Sequence, residues 1–401
     1  PLAGNKEWLE LPDGSIRETD TMPGYAGSSW YFLRFMDPHN DHAFVAKEKE
    51  AYWKNVDLYV GGSEHAVGHL MYSRMWQMAL FDLGLVSKEE PFKKLINQGM
   101  IQGRSNFVYR IKGSNTFVSR GLKGDYNTSR LNVDISLVKD DLLDIEAFKS
   151  WRSEFKDAEF ILEEGVYHCG YEVEKMSKSK YNVINPDDIV AQYGADCFRM
   201  YEMFLGPIEQ SKPWDTQGID GVAKFLQKLW RLFYNQEGEW QVIEESPTDD
   251  MHRILHQTIK KVNDDVERFA FNTCVSQFMI CVNELTKLRC HHHSILRDLV
   301  AILSPFAPFI ASELWEKLGE KGMVLDAKFP EFEEKYLKSD TVEYPVSVNG
   351  KMRSKLRLPA EIQPDEAREA ALADAVVQKW VAGKEIRKFI FVPGRIINIV
   401  V

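Results

Sequence analysis

The segment VDLYVGG, residues 56–62, restricts the fold of this chain more than any other, because an apolar run of strand length ends there in two glycines. Residues 64–84 follow directly and repeat their apolar side chains with helical period. A strand, a tight glycine turn and a helix in succession are typical of an open α/β sheet. The segment FKKLINQGMI, residues 92–101, can supply the next short strand. Residues 1–102 are therefore predicted to form an α/β domain.

The pattern changes twice in the rest of the chain. Residues 103–172 alternate short apolar runs with turn sequences and carry one helical stretch, which predicts a small α+β insert. Residues 216–335 are predicted to form a bundle of helices. Individual helices are predicted over 221–233, 251–268, 271–289 and 297–318. The first is predicted to bury one apolar face: Val222, Phe225, Leu226, Leu229, Trp230 and Phe233. Residues 341–401 follow the order strand, Asn-Gly turn, strand, helix and strand.

Charge and cysteine content limit the class of protein. The 401 residues carry a formal net charge of −10, so binding of nucleic acid over the whole surface is not expected. Residues 341–401 nevertheless hold ten Lys and Arg against seven Asp and Glu, a local surplus of 10 − 7 = +3. Five cysteines without a CxxC pair favour a reducing, cytoplasmic location over a disulfide framework. No apolar stretch reaches the length of a membrane span, so no membrane partner is expected.

The sequence GGSEHAVGH, residues 61–69, has the composition of a ligand-binding turn. Its glycines let a ligand approach the backbone, and the helix that follows offers free amides at its N-terminus. Glu64 can accept hydrogen bonds from a ribose. His65 and His69 lack the glutamate of a zinc-protease helix and an evident third ligand, so substrate contact is favoured over a metal site. The histidines of CHHHS, residues 290–294, diverge around a helix, and no metal site is expected there either.

The stretch VEKMSKSKYN, residues 173–182, stands just before a helix-start signal, NP, at residues 185–186. In a chain that is 27% charged, the ordinary interpretation of such a stretch is a solvated turn. Its position before a helix favours instead a loop whose Lys175 and Lys178 neutralise phosphate charge during phosphoryl or nucleotidyl transfer. The segment GYAGSSWYFLRF, residues 24–35, combines small residues with aromatic ones. Taken alone, it is better interpreted as a core element than as a pocket wall.

Five motifs together extend these interpretations. MPGYAGSSWYFLRF, GGSEH, KMSKS, GADCFRMYEMFLGP and LSPFAPFIASELWEKLG occur in the order and approximate spacing of the class I aminoacyl-tRNA synthetases. KMSKS is common to that class, whereas SSWYF and EHAVGHLMYSR resemble the bacterial leucyl-tRNA synthetases in particular. The resemblance extends from about Asp20 to Val401 and so covers nearly the whole chain. It implies activation of leucine by ATP, with Mg²⁺, and transfer of leucine to tRNA(Leu).

The resemblance also implies which residues form the site. The ATP phosphates and the pentacoordinate α-phosphate would be held by Lys175, Ser177 and Lys178. The nucleoside would be bound by Gly61, Gly62, Glu64, Gln98, Met100 and Met176. The leucine pocket would be lined by Tyr25, Ser28, Tyr31, His65 and His69. Tyr25 stands where some relatives have Phe, a change that keeps the aromatic wall.

The implied fold class is multidomain α/β plus α. Residues 1–102 resemble the second half of a Rossmann-type catalytic domain, 103–172 the leucyl-specific α+β insert, and 173–215 the KMSKS loop with the stem-contact region. Residues 216–335 resemble the all-α anticodon-binding-type domain, and 341–401 the small α+β C-terminal domain that reaches the tRNA. The family resemblance further implies a monomer.

The chain departs from the family pattern at one essential motif. No HxGH is present, since AVGH at residues 66–69 begins with alanine, and the editing domain that precedes SSWYF in the family is not found. The chain is therefore expected to correspond to the C-terminal part of the enzyme, to be inactive alone, and to expose one edge and an apolar face of its half sheet. Two alternatives stay open: a synthetase for isoleucine, valine or methionine, and a non-catalytic tRNA-binding paralogue.

Overall fold

The computed structural model describes residues 2–20, 24–216, 218–337, 341–359 and 361–401. Met22 and Pro23, the first two residues of the motif MPGYAGSSWYFLRF, lie outside the described residues. The chain divides into two compact units. The first comprises residues 1–189 and 205–216, and the second comprises residues 190–204 and 217–401. The first unit mixes helices and strands, whereas helices dominate the second up to residue 337.

The first unit opens with helices and a short parallel sheet. Its elements are α1 (Lys6–Leu9), α2 (Tyr25–Ser28), α3 (Tyr31–Phe35), α4 (Lys47–Trp53), β1 (Tyr59–Gly62), α5 (Met71–Asp82) and β2 (Leu95–Gln98). The parallel pairing of β1 with β2 confirms the predicted succession of strand, glycine turn, helix and strand. Val60 and Leu95 are 48% and 41% exposed, so this sheet leaves apolar side chains uncovered, in agreement with the expected exposed face.

The rest of the first unit contains a six-stranded sheet, a two-stranded ribbon and one helix. In chain order its elements are β3 (Ile101–Ile111), β4 (Thr116–Val118), β5 (Thr128–Val133), β6 (Val138–Lys139), β7 (Leu142–Leu143), α6 (Ile145–Trp151), β8 (Glu159–Ile161), β9 (Gly170–Lys175) and β10 (Lys212–Pro213). Strands β6 and β7 form the ribbon, and the other six strands form the sheet. The long strand β3 pairs with β4, β5, β9 and β10. Val108, Phe117 and Phe148 are fully buried in one core cluster. The alternating runs of 103–172 thus form the α+β structure that they predict.

The second unit begins within α7 (Pro186–Tyr193), which runs across the boundary between the units in sequence. Its further helices are α8 (Ala195–Phe204), α9 (Ile219–Trp230), α10 (Asp249–Glu267), α11 (Phe271–Lys287), α12 (His293–Leu303), α13 (Pro308–Lys317) and α14 (Glu334–Leu337). The predicted apolar face of the first bundle helix is confirmed, with Val222 and Leu229 fully buried. The single helix predicted over 297–318 is wrong, because Pro305 lacks an N–H donor and Pro308 starts a new helix at its first turn.

Residues 341–401 form an α+β module with its own core. Its elements are β11 (Thr341–Val348), β12 (Lys351–Pro359), α15 (Pro364–Ala373), α16 (Ala375–Val381), β13 (Lys388–Val392) and β14 (Ile396–Val400). The sheet order is β12-β11-β14-β13. Asn349 and Gly350 have φ of 52° and 77°, which confirms the predicted Asn-Gly hairpin turn.

Two details of this module differ from the sequence prediction. The predicted single helix is two helices, because the side chain of Asp374 accepts the N–H groups of Val376 and Val377 and caps a new helix. The predicted last strand is a hairpin, since Gly394 has a φ of 71° and the N–H of Arg395 donates to the carbonyl of Val392 at 3.0 Å.

The architecture confirms the predicted fold class of α/β plus α, while the domain boundaries within each unit stay predictions. All five cysteines lie in the described residues, where they are free and buried. Within the described ranges, no helix has both the length and the apolar character that crossing a bilayer requires. The histidines of CHHHS contact three separate backbone carbonyls, those of Leu232, Glu245 and Leu318.

Candidate functional site

The carboxyl ends of β1 and β2 bring three predicted nucleoside-binding residues together. Gly62 pairs with Gln98 in the parallel ladder, and Gly61 pairs with Asn97, so the two glycines and Gln98 reach the same edge. Ligands of open parallel sheets bind outside the carboxyl ends of the strands. No other described residue comes within 4 Å of the position that a Cβ on Gly61 would take. The backbone at this edge is therefore open to a ligand.

Glu64 lies directly over Gly62. Its carboxylate occupies the space that a Cβ on Gly62 would need, so a larger residue at position 62 would displace it. Glu64 is exposed and makes no hydrogen bond or ion pair with any described residue. The geometry thus offers an unengaged carboxylate beside the strand ends, where it can accept hydrogen bonds from hydroxyl groups.

The helix predicted for 64–84 begins later than expected. A 3-10 turn and a π-helical turn (Ala66–Leu70) precede α5. A π turn adds one residue to a helix and is frequent at functional sites. Gly68 lies in this turn, and a Cβ placed on it would be 2.8 Å from the ring of Tyr25. The glycine therefore lets Tyr25 pack against the turn.

Tyr31, Tyr59 and His69 form a hydrogen-bonded chain. The hydroxyls of Tyr31 and Tyr59 are 3.0 Å apart, and the Tyr59 hydroxyl is 2.6 Å from Nε2 of His69. The Tyr59 ring stacks on Phe92 with a centroid separation of 3.9 Å, which fixes its orientation. Nδ1 of His69 is buried and has no hydrogen-bond partner among the described residues. The hydrogen-bonded residues thus leave one buried ring nitrogen of His69 unsatisfied.

Burial alters the acid–base behaviour of Tyr59 and His69. Desolvation, followed by the hydrogen bond with Tyr31, raises the pKa of Tyr59, so its phenol stays protonated at neutral pH. Desolvation, followed by the charge of His65, lowers the pKa of His69. His69 is therefore neutral at physiological pH, and one of its ring nitrogens can accept a hydrogen bond.

We expect the pKa of His69 to rise in a His65→Gln variant, because the substitution removes a like charge that disfavours the imidazolium. An NMR titration of the imidazole resonances measures this change. The unfolded chain binds the His69 proton more tightly than the folded one, so stability should fall as the pH drops below the ordinary histidine pKa of about 6.5. A His42→Gln variant, changed outside the pocket, is the control. An unchanged His69 titration in His65→Gln would contradict the electrostatic coupling.

The other predicted pocket residues lie outside this hydrogen-bonded chain. Ser28 donates its hydroxyl to the carbonyl of Tyr25 at 3.1 Å, and Tyr25 stacks on Tyr72 with centroids 6.3 Å apart. His65 is exposed. Tyr59 was not singled out from the sequence. The signal for it is a hydroxyl-bearing residue in an otherwise apolar strand, two positions before the glycine pair.

The predicted phosphate-binding loop begins where β9 ends, with Lys175 opposite Gln102 of β3. The backbone N–H of Ser177 donates to Oδ1 of Asn182 at 2.8 Å. Asn182 is fully buried, and its Nδ2 donates to Ser105 Oγ at 2.9 Å and to the Lys175 carbonyl at 3.3 Å. Asn182 therefore anchors the loop to the sheet, a role that the sequence motif did not indicate.

Gly103 of β3 permits this close approach. The carbonyl of Asn182 occupies the space that a Cβ on Gly103 would need, and Cγ of Met176 is 2.9 Å from the same position. Met176 thus contacts the sheet through the methionine side chain, while the rest of the loop projects from it. A larger residue at 103 would push the loop outward.

The lysines of the loop differ in their surroundings. Lys175 and Lys178 are exposed, and neither side chain forms an ion pair with any described residue. Lys180, two positions further along, pairs with Glu174. The loop therefore presents two uncompensated positive charges from a backbone that Asn182 holds in place.

The strand edge and the lysine loop lie on neighbouring stretches of backbone. β2 ends at Gln98, Gly99 and Met100 follow, and the second residue of β3 then pairs with Lys175. The backbone of Gln210 occupies the space that a Cβ on Gly99 would need, so this connection requires glycine. The N–H of Met100 donates to a serine hydroxyl at 3.1 Å. The predicted adenine contacts Gln98 and Met100 thus lie within four residues of Gln102, which pairs with Lys175.

Two protein-family models match the chain. The model of the anticodon-binding domain of tRNA ligase matches residues 250–369. The model of tRNA synthetases class I (I, L, M and V) matches residues 163–214. The second match contains the lysine loop and the two helices that follow it, and the first contains α10 to α13.

Curated relatives match the whole chain. The leucine–tRNA ligase of Parabacteroides distasonis is 60% identical over 384 residues, which are 96% of this chain and 41% of that protein. The leucine–tRNA ligase of Cytophaga hutchinsonii is 56% identical over 400 residues, which are 100% of this chain and 43% of that protein. The chain is thus similar over nearly its whole length to part of the leucine–tRNA ligases. It spans about two fifths of the length of these relatives.

A solved structure agrees with this similarity. The chain is similar to the LeuRS in the crystal structure of the ternary complex of Agrobacterium radiobacter K84 agnB2 LeuRS, tRNA and LeuAMS. The TM-score is 0.61 at 27% sequence identity, and the match covers 100% of this chain and 45% of that LeuRS. The family resemblance inferred from the five motifs is thereby confirmed, including the correspondence to part of the enzyme.

Proposed function

We propose that this chain supplies the KMSKS loop, the nucleoside-binding strand ends and part of the leucine pocket of a leucine–tRNA ligase. In this reaction the carboxylate of leucine attacks the α-phosphorus of ATP, pyrophosphate leaves, and the leucyl group then passes to the terminal ribose of tRNA(Leu). The observation that carries the proposal is the pair of exposed lysines without ion pairs to described residues, Lys175 and Lys178. Their loop starts at the end of β9, where Lys175 pairs with Gln102, four residues after Gln98 at the end of β2.

The ATP contacts follow from the charges and the open backbone. Lys175 and Lys178 oppose the negative charge that develops on the phosphates in the transition state, and the Ser177 hydroxyl is available beside them. Gly61 and Gly62 let the nucleoside approach the strand ends, and Glu64 accepts hydrogen bonds from its ribose. Gln98, Met100 and Met176 line the side where the adenine lies. Mg²⁺ enters with ATP as the counter-ion of its phosphates.

The leucine contacts centre on the hydrogen-bonded chain. The rings of Tyr31 and His69, with centroids 6.2 Å apart, offer apolar faces to a branched side chain. The protonated Tyr59 and the neutral His69 add no charge to that surface. His65 borders the pocket on the 3-10 turn, and Tyr25 and Ser28 border it on α2. This arrangement favours a medium-sized apolar side chain over a charged one.

The tRNA partner is proposed from the second unit. The anticodon-type bundle would contact tRNA(Leu) through its backbone more than its bases, and the surplus positive charge of 341–401 suits a polyanion. We further propose that the enzyme works as a monomer in the cytoplasm, where ATP, leucine and tRNA meet.

The test is a chimera. In the Parabacteroides distasonis leucine–tRNA ligase, the 384-residue segment that matches this chain is replaced by the corresponding residues. We expect the chimera to exchange pyrophosphate into ATP when leucine is supplied. Isoleucine, valine and methionine are tested in the same assay, and exchange with each of them should be slower than with leucine. A well-folded chimera that shows no exchange would overturn the proposed function. Faster exchange with another amino acid would reassign the substrate.

The 401-residue polypeptide alone is expected to show no leucine-dependent exchange, because its sequence contains no HxGH motif to complete the phosphate contacts. The same assay measures this prediction, with the chimera as the positive control. Exchange by the polypeptide alone at a rate comparable to that of the chimera would show that the residues on this chain suffice for activation.

A further inference from the structure

An apolar cavity lies inside the second unit, among helices that the proposed reaction does not use. It is bounded by α8, the end of α10, the start of α11 and the turn between α12 and α13, and its volume is about 460 Å³. Its apolar lining comprises Met203, Val266, Phe271, Phe306 and Phe329. Small-molecule sites are typically concave, mostly apolar and about 300–1,000 Å³ in volume. The cavity therefore has the size and lining of a ligand site.

Two of the lining phenylalanines, Phe271 and Phe306, pack against each other, and a third ring supports them from outside the cavity. The rings of Phe271 and Phe306 meet edge to face, with centroids 6.3 Å apart and an interplanar angle of 71°. Phe306 is further held by Phe278, whose ring is buried and 5.2 Å away. These contacts fix the aromatic wall before any ligand arrives, which lowers the entropic cost of binding.

Two polar groups face this apolar space without partners. Glu202 of α8 and Asn263 of α10 line the cavity, and neither side chain makes a hydrogen bond or ion pair with any described residue. Burial raises the pKa of Glu202, an effect only partly offset by the charge of Arg199. Arg199 does not pair with Glu202, and its Nη2 donates to the carbonyl of Pro305 at 3.1 Å. The cavity thus holds a carboxyl group that feels the charge of Arg199 but receives no hydrogen bond from it.

We propose that this cavity binds a small hydrophobic organic ammonium ion, with Glu202 as its counter-charge and the phenylalanine rings around its apolar body. The ammonium group donates to the Glu202 carboxylate and to the Asn263 amide oxygen, and both acceptors are unused in the structure. The face of an aromatic ring also attracts an organic cation. This site lies on α8 and the bundle, so it does not depend on the proposed ligase function.

Charge and lining together exclude other ligand classes. An anion would meet Glu202, and Arg199 already uses one of its donors on a backbone carbonyl. A metal ion would find a single carboxylate and no further cluster of metal-binding side chains among the described residues. A neutral apolar ligand would fill the cavity and leave Glu202 and Asn263 without hydrogen bonds. A ligand that is both cationic and apolar offers donors to these two groups and an apolar body to the rings.

The test compares two probes of nearly the same shape on the 401-residue chain. Phenethylammonium chloride carries the charge, and 2-phenylethanol lacks it. Isothermal titration calorimetry should give a dissociation constant for the ammonium probe at least about tenfold below that for the alcohol, a difference of about 1.4 kcal/mol. Addition of the ammonium probe should shift the methyl resonance of Met203, which locates the binding in the cavity.

Two variants decide whether the charge of Glu202 carries this preference. In Glu202→Gln the two probes should bind within about twofold of each other, while Glu267→Gln, an exposed neighbour on α10, should keep the tenfold difference. If Glu202→Gln fails to fold, a second variant, Val266→Trp, takes its place. Val266 is 39% exposed and lines the cavity, so a tryptophan there should block both probes. Equal binding of the two probes to the unmodified chain, or an unshifted Met203 resonance, would overturn the proposal.

Discussion

In the chimera, Lys178→Gln should lower kcat for leucine-dependent pyrophosphate exchange by about 100-fold, the usual effect of removing one preorganised transition-state donor. Lys178 is exposed and forms no ion pair with any described residue, so its ammonium is available to the phosphates. Glutamine keeps much of the length and polarity of lysine and removes only the charge. The KM for leucine should change little, because the leucine contacts lie on other residues.

Lys180→Gln is the matched control for this prediction. Lys180 stands in the same loop, but it is paired with Glu174, so its charge is already compensated. Its substitution should lower kcat by less than about threefold, because a lysine already held by Glu174 is not free to move onto the phosphates. If both substitutions slow exchange equally, the effect comes from the overall charge of the loop. The hypothesis that Lys178 itself contacts the phosphates would then be contradicted.

The sequence predicted those parts of the fold that depend on local chemistry. The apolar run ending in Gly61 and Gly62 gave a strand and a turn, because only a few structures accept that pattern. The Asn349-Gly350 pair gave a hairpin, because both residues tolerate positive φ. In each case a few consecutive residues determine the structure.

The helix boundaries were harder to predict because they depend on single competing residues. The long apolar repeats around Pro305 and Asp374 continue through positions where the structure starts a new helix. Periodicity counts apolar spacing and ignores a missing N–H donor or a capping carboxylate. A proline such as Pro305 and a capping residue such as Asp374 are therefore the signals in the sequence that mark these two helix boundaries.

The candidate site was only partly visible in the sequence, because its supporting contacts join residues far apart in the chain. The motifs located Tyr31 and His69, but the link between them is Tyr59, which lies on β1 two positions before the GGSEH motif begins. The motif likewise located Lys178, whereas the side chain that anchors its loop bonds to Ser105, 77 positions away in sequence. Such pairings arise from strand register, which a single sequence does not specify.

Asn182→Leu should destabilise the lysine loop and its sheet by about 3 kcal/mol, because it leaves buried polar groups without partners at about 1–3 kcal/mol each. Leucine resembles asparagine in shape, but it can neither accept the Ser177 N–H nor donate to Ser105 Oγ, and both bonds are present in the structure. Two-state unfolding is not assured for a chain of two units, so amide hydrogen exchange is the appropriate measurement.

The amides of β9 should exchange about 100-fold faster in Asn182→Leu, since each 1.4 kcal/mol changes an equilibrium about tenfold. Asn132→Leu is the matched control, because Asn132 lies on β5 beside the same central strand and its side chain makes no hydrogen bond to a described residue. Exchange in β9 that is equally slow in both variants would show that backbone pairing with β3 alone holds the loop. Faster exchange confined to Asn182→Leu would instead mean that the buried amide of Asn182, and not the strand pairing alone, holds the lysine loop in place.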